Sequence, residues 1–94
     1  MVTEVASIPV NPGQEEAFIR VFKTALQPVY AAPGCHPGKV YRSREMPSTI
    51  THILRWDDVA SQERFIASAA GRQFLATISR FLAGPAKLEH LDEV

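Results

Sequence analysis

Val10-Asn11-Pro12-Gly13-Gln14-Glu15-Glu16-Ala17-Phe18 decides the fold, because a strand-like run passes there directly into a marked amphipathic helix. Ahead of the junction, Val2, Ala6, Ile8 and Val10 fall on one side of a period-two pattern, which predicts a strand over residues 2–10 with one buried face. Pro9 removes a ladder donor near the end of that strand and predicts an edge position there. Behind the junction, Phe18, Phe22, Ala25, Leu26 and Val29 recur at helical spacing from Pro12 to about Tyr30, while Arg20, Lys23 and Gln27 face elsewhere. The junction itself has the chemistry of a helix start. Asn11 is placed to cap, Pro12 to occupy the first turn, Gln14 to reach back as a capping-box partner, and Glu15 and Glu16 to meet the positive end of the dipole. Pro28 predicts a kink or an end, since an internal proline deletes a hydrogen bond at a cost of about 3 kcal/mol.

The remaining punctuation separates further elements. Ala32-Pro33-Gly34-Cys35-His36-Pro37-Gly38 reads as loop. Lys39 to Glu45 then alternates, Met46-Pro47-Ser48 turns the chain, and Thr49 to Trp56 is rich in β-branched residues, so this region predicts an antiparallel hairpin. Asp57 or Asp58 caps a second helix whose apolar side includes Val59, Phe65, Ile66 and Ala69, with an interruption near Gly71. Phe74, Leu75, Ile78, Phe81 and Leu82 continue the stripe until Gly84-Pro85 stops it, and residues 86–93 alternate as a last strand. The order is βαββαβ. It predicts a ferredoxin-like α+β domain, with a four-stranded antiparallel sheet and the helices on one face. The face left uncovered predicts a homodimer.

Composition limits the function classes. With 94 residues and 46% hydrophobic content, the chain predicts one domain over residues 1–94 with a real core. Ten acidic and ten basic residues balance, so no nucleic acid and no anionic membrane is expected as a partner. No window approaches the ~20 apolar residues of a membrane span, and the first ten residues lack the pattern of a secretory signal, so a cytoplasmic location is expected. A lone Cys35 cannot form an intramolecular disulfide. His36, His52 and His90 lie on separate elements without a cysteine or carboxylate at ligand spacing, so no metal is expected.

Several stretches carry a family resemblance. The segment from Asn11 to Phe18 resembles the opening helix signature of the antibiotic biosynthesis monooxygenase family. Pro33-Gly34-Cys35 is similar to its loop, Leu54-Arg55-Trp56-Asp57 to its strand-to-helix junction, and Pro85-Ala86-Lys87-Leu88-Glu89-His90-Leu91 to its closing strand, with Ser68 at a familiar distance between them. The resemblance covers nearly the entire chain and implies a dimeric α+β barrel. It also implies a range of activities, including cofactor-free oxygenation of polyketide phenols, quinol oxygenation and haem degradation. A haem-degrading member is expected to carry an asparagine near Ala6 and a histidine near Leu75, and this chain has neither. Many quinol-type members carry a histidine early in the second helix, where Phe65 stands here.

Cofactor-independent oxygenation needs an apolar pocket and a polar group that promotes ionisation of a phenol or quinol, which then reduces dioxygen directly. His52 and Trp56 share a strand face with Ile50 and Leu54, and His90 on the last strand can join them. The candidate catalytic residues are therefore His52 and His90. Trp56 is placed to stack on an aromatic substrate and Arg55 or Arg42 to stabilise an oxyanion, with Tyr41 and Phe65 as further candidates for substrate contact. Each has a plainer alternative: aromatics pack cores, histidines find structural partners, and arginines on sheets are solvated or paired. The expected partners are a small aromatic molecule and dioxygen, with no cofactor. The alternative is a noncatalytic dimer that binds a small molecule in the same cavity.

Overall fold

A computed structural model describes residues 1–94. The chain forms β1 (Val2–Pro9), α1 (Glu15–Tyr30), β2 (Cys35–Arg42), β3 (Thr49–Trp56), α2 (Val59–Ala67), α3 (Ala69–Ser79) and β4 (Lys87–Leu91). The strands make one antiparallel sheet in the order β2-β3-β1-β4. This is the ferredoxin-like α+β arrangement, with the second helical region split in two.

Alternation places the core. Even-numbered side chains of β1 and β3 (Glu4, Ala6, Ile8; Ile50, His52, Leu54, Trp56) are buried, and Phe18, Phe22, Leu26 and Val29 of α1 close over them. Burial of each large apolar side chain contributes about 1.5–3 kcal/mol, so this α1 stripe is what holds the helix on the sheet. Phe65 of α2 and Ile78 of α3 complete the cover together with Phe81. The odd-numbered side chains of the central strands face away from the helices.

The junction after β1 differs from its expected form. Gln14, not Asn11, is the residue at the helix N-cap, and its side chain makes no capping bond. Gly13 has φ +92°, which breaks the helical path and delays the first turn. Glu15 replaces the expected cap by accepting from the Gly13 N–H at 2.8 Å and from the Ser48 hydroxyl at 2.6 Å. Asn11 instead reaches the Arg80 carbonyl at 3.4 Å, fastening the end of β1 to the end of α3. Pro28 lies inside α1, but only two residues before its end, so the hydrogen bond it removes falls in a turn about to terminate.

Other boundaries shift for identifiable reasons. Cys35 and His36, expected in a loop, pair with Trp56 and Arg55, and the irregularity between His36 and Lys39 absorbs Pro37 and Gly38 within β2. Asp58 is the cap of α2, accepting from the Ser61 N–H at 2.8 Å. The helical break falls at Ser68, whose extended backbone ends α2 and whose hydroxyl oxygen accepts from the Gly71 N–H to start α3. Gly71 is thus inside α3, where a Cβ would lie 2.0 Å from the Phe65 carbonyl oxygen, so its role is close packing of α3 on α2. Phe81 and Leu82 follow α3 as a turn, and Leu82 bridges to Val10. Pro9 sits in a central strand, but β4 pairs only with Thr3 to Ser7, so the missing donor lies beyond the end of β4.

Candidate functional site

A cavity of about 90 Å³ lies between the helices and the sheet, near β4. It exists because Ala6 is small where its neighbours on the same face are large, and because Ala86 and the short β4 leave that side of the sheet partly uncovered. Phe22, Phe65, Phe74 and Trp56 border it in an aromatic chain, with ring centroids 6.0 Å apart for Phe22–Phe74, 6.4 Å for Phe65–Phe74 and 6.3 Å for Trp56–Phe65. Leu75 and Leu88, both exposed, line the open side. The polar side chains in the lining are Glu4, His52, Gln62 and the Trp56 indole.

His52 is 3% exposed and is held from two directions. Its Nε2 shares a hydrogen bond of 2.8 Å with the Tyr30 hydroxyl, and the Phe22 ring stands edge-on to the imidazole with centroids 5.4 Å apart. Burial lowers its pKa to about 4, because the charged imidazolium would lose its hydration. His52 is therefore neutral at physiological pH. Tyr30 is also kept neutral, its phenol raised by burial and only partly opposed by the Gly38 amide.

Glu4 faces the same cavity from β1. It is 7% exposed, and its Oε1 accepts from Trp56 Nε1 at 3.0 Å. His90, opposite Glu4 in the β1–β4 register, places Nε2 3.9 Å from that oxygen. Burial raises the carboxyl above its ordinary value, more than the Trp56 hydrogen bond and His90 lower it. Cys35 lies nearby, its thiol pushed up to about 11 by burial and by the Glu4 charge, so it is not a ready nucleophile.

The expected site residues divide by strand face. His52, Trp56 and Phe65 line the cavity, and His90 adjoins it through Glu4. Tyr41 and Arg55 occupy odd-face positions of β2 and β3, with Tyr41 opposite Thr51, so they lie on the side of the sheet away from the cavity. Arg42 is at the outer strand, donating to the Glu16 carboxylate and the Pro47 carbonyl at 2.8 and 2.7 Å, and serves to join β2 to the start of α1. His36 is an exposed partner of Asp57 at 2.7 Å. No three His, Cys, Asp or Glu side chains gather where they could hold a metal ion.

Glu4, Tyr30, Phe22 and Gln62 line or brace the site without belonging to the expected set of site residues. Glu4 had a signal: it occupies an inward slot of the alternation Val2-Glu4-Ala6-Ile8-Val10, where a charge is out of place. Tyr30 had none, because its partner lies 22 residues away on another element.

The titration of His52 has a defined sign. Its folded pKa is depressed from 6.5 to about 4, so the unfolded chain protonates first and stability falls as pH drops from about 6.5 towards 4. The total loss is about 3 kcal/mol. Glu4 acts oppositely: its raised pKa withdraws stability as pH rises through that value. Denaturant unfolding of His52→Gln at pH 7 and pH 4.5 is expected to show a smaller acid loss than wild type, and an equal loss in both would assign acid sensitivity elsewhere.

The sequence pattern of the family described as antibiotic biosynthesis monooxygenase matches residues 1–77. Among solved structures, a Bordetella bronchiseptica protein named as a candidate antibiotic biosynthesis monooxygenase is 30% identical, with 99% of this chain and 96% of that chain aligned at a TM-score of 0.91. A Pseudomonas aeruginosa protein is 25% identical, covering 99% of this chain and 93% of that chain, with a TM-score of 0.81. A conserved protein of Methanosarcina mazei shares the fold at a TM-score of 0.85 and 22% identity, over 99% of this chain and 92% of that one. No curated protein sequence matches significantly. The match over residues 1–77 and the shared fold place this chain in the antibiotic biosynthesis monooxygenase family.

Proposed function

We propose that the chain is a cofactor-independent monooxygenase acting on a phenol, quinol or similar electron-rich aromatic, with dioxygen as co-substrate. The observation that carries this reading is the aromatic-walled cavity under the helices, which combines an apolar lining with the few polar groups of His52, Glu4 and Trp56. In such a site a phenol that gives up its proton becomes a poorly solvated, electron-rich anion able to pass an electron to dioxygen. Recombination at a ring carbon gives a peroxide. The peroxide takes back the phenolic proton, and loss of the hydrogen on that ring carbon then cleaves the O–O bond, leaving one oxygen as a carbonyl and releasing the other with both hydrogens as water. For a phenol with a free ring position, phenol plus dioxygen gives quinone plus water.

In this reading one polar group of the site accepts the phenolic proton, with His52 and His90 as the candidates supplied by the sequence, while Trp56 and Phe65 shape the space for the ring. The volume of about 90 Å³ favours a single small ring, and a fused-ring substrate requires Leu75 and Leu88 at the open side to part. Arg55, Tyr41 and Arg42 act outside the cavity. The positions at which haem-degrading and quinol-type relatives are expected to differ, Ala6, Leu75 and Phe65, all line this cavity, so substrate preference is where this chain departs from them.

The same reading includes a homodimer. Val5, Ile53, Tyr41 and Leu91 lie on the uncovered sheet face, the last three exposed, and pairing of two such faces removes apolar surface from water. No helix is long and apolar enough to cross a membrane, and balanced charge gives nucleic acid no electrostatic footprint.

Oxygen-electrode traces with hydroquinone and simple phenols are expected to show protein-dependent uptake that survives chelators. His52→Ala or His90→Ala slows it by ~100-fold if that residue is the base. Ligand binding without uptake would make the chain a noncatalytic binder. Size exclusion with light scattering is expected to give twice the chain mass at micromolar concentration, and a single-chain mass would remove the dimer.

A further inference from the structure

One ionisable group in the cavity belongs to none of the sequence signatures. Glu4 enters from the centre of the sheet, and its Oε1 is fixed by the Trp56 indole N–H at 3.0 Å. Its Oε2 bonds nothing in the protein, yet no buried side-chain oxygen or nitrogen is both sealed off and unpartnered, so Oε2 keeps accessible surface on a residue that lines the cavity. A neutral glutamine would satisfy the indole equally well without an ionisable group in an apolar wall. A buried carboxyl costs stability unless it is paired, and no lysine or arginine lines the cavity.

We propose that Glu4 is the proton acceptor of this cavity, its Oε2 taking the hydroxyl proton of a single-ring phenolic ligand while Trp56 holds Oε1 in place. The inference rests on the oxygenase reading for turnover, but not for binding. The substrate O–H bond breaks, its electron pair stays on the phenolate oxygen, and the carboxylate becomes a carboxylic acid. After electron transfer to dioxygen and recombination, the acid returns the proton to the terminal peroxide oxygen, which regenerates the carboxylate and leaves a hydroperoxide. The C–H bond of the same ring carbon then breaks, its electron pair forms the carbonyl as the O–O bond cleaves, and the departing hydroxide takes up that second proton as water.

The surroundings favour Glu4 over His52. The imidazole is occupied at Nε2 by the Tyr30 hydroxyl, whereas the Glu4 carboxyl keeps Oε2 without a partner in the protein. The groups facing Glu4 are Trp56 from β3, His90 from β4 at 3.9 Å and Cys35 from β2, with His52 on the same sheet face and Gln62 of α2 also lining the cavity and Tyr30 bonded to His52. His90 approaches the carboxylate from β4 without lining the cavity.

Trp56, the single tryptophan, reports on the site by fluorescence. Titration with 4-nitrophenol, below the pH at which the probe ionises, is expected to show wild-type affinity rising with pH as the Glu4 carboxylate forms. Glu4→Gln, which keeps an acceptor for the indole, is expected to bind ~10-fold more weakly with no pH dependence. It should also consume oxygen with hydroquinone ~100-fold more slowly, with Glu4→Asp retaining part of the rate. Glu4→Gln that binds and turns over like wild type would overturn the proposal and leave the oxygenase reading intact. Loss of pH-dependent binding in Glu4→Gln, with no uptake by wild type, would instead remove the oxygenase reading and keep Glu4 as the ligand's acceptor. Should Glu4→Gln not fold, a wild-type affinity that ignores pH overturns the proposal by itself.

Discussion

The antiparallel register of β1 on β3, from Val2 opposite Trp56 to Pro9 opposite Thr49, is the constraint on which the site depends. It places Glu4 opposite Leu54 and Ala6 opposite His52, so the carboxyl, imidazole and indole all point under the helices. A slip of β1 by one residue would turn Glu4, Ala6 and Ile8 out to water and bring Thr3, Val5 and Ser7 inside, parting the carboxyl from the imidazole and indole. Two features hold the register. Phe18, Phe22 and Leu26 of α1 need the even face of the sheet to be apolar, and the Trp56–Glu4 bond joins the two central strands through side chains. Packing and chemistry thus share one alternation, and the same side chains cannot be reassigned to the outer face without losing the core.

Within that frame the interior holds two buried ionisable groups, His52 and Glu4, whose charged forms burial disfavours with opposite consequences. His52 is neutral because its proton-bound form is the charged one, which makes it a weak base pinned to Tyr30. Glu4 holds its proton more tightly than an ordinary carboxyl, and unlike His52 it keeps one oxygen without a partner in the protein. Perturbed groups of this kind in an apolar cavity are common at functional sites, although structural networks perturb them as well. Here the free carboxylate oxygen and the open volume beside it distinguish a site from a packed polar contact.

The fold was legible because its determinants are local. The α1 stripe, the Thr49–Trp56 strand, the Asp58 cap and the Gly84-Pro85 stop are each written within a few residues, and the order of elements follows from them. The structure departs from the local pattern where a distant partner chooses the geometry. Asn11 is drawn to Arg80 and not to its own helix, Ser68 outcompetes Gly71 as the break, and Cys35 joins a ladder whose other strand lies 21 residues on. The site was legible in the same proportion. His52 and Trp56 followed from period two on one strand, but period two also separates Arg55 and Tyr41 from them. Glu4 was visible as a charge in an apolar slot, while its bond to Trp56, 52 residues away, was not.

The central claim is that the chemistry occurs in the space above Ala6. Ala6→Leu fills that space with apolar volume while leaving Glu4, His52 and Trp56 unchanged, so oxygen uptake by folded Ala6→Leu beside wild type tests the location directly. The account predicts uptake by wild type and none by the variant, with circular dichroism of the two alike. Uptake by folded Ala6→Leu at the wild-type rate would contradict it.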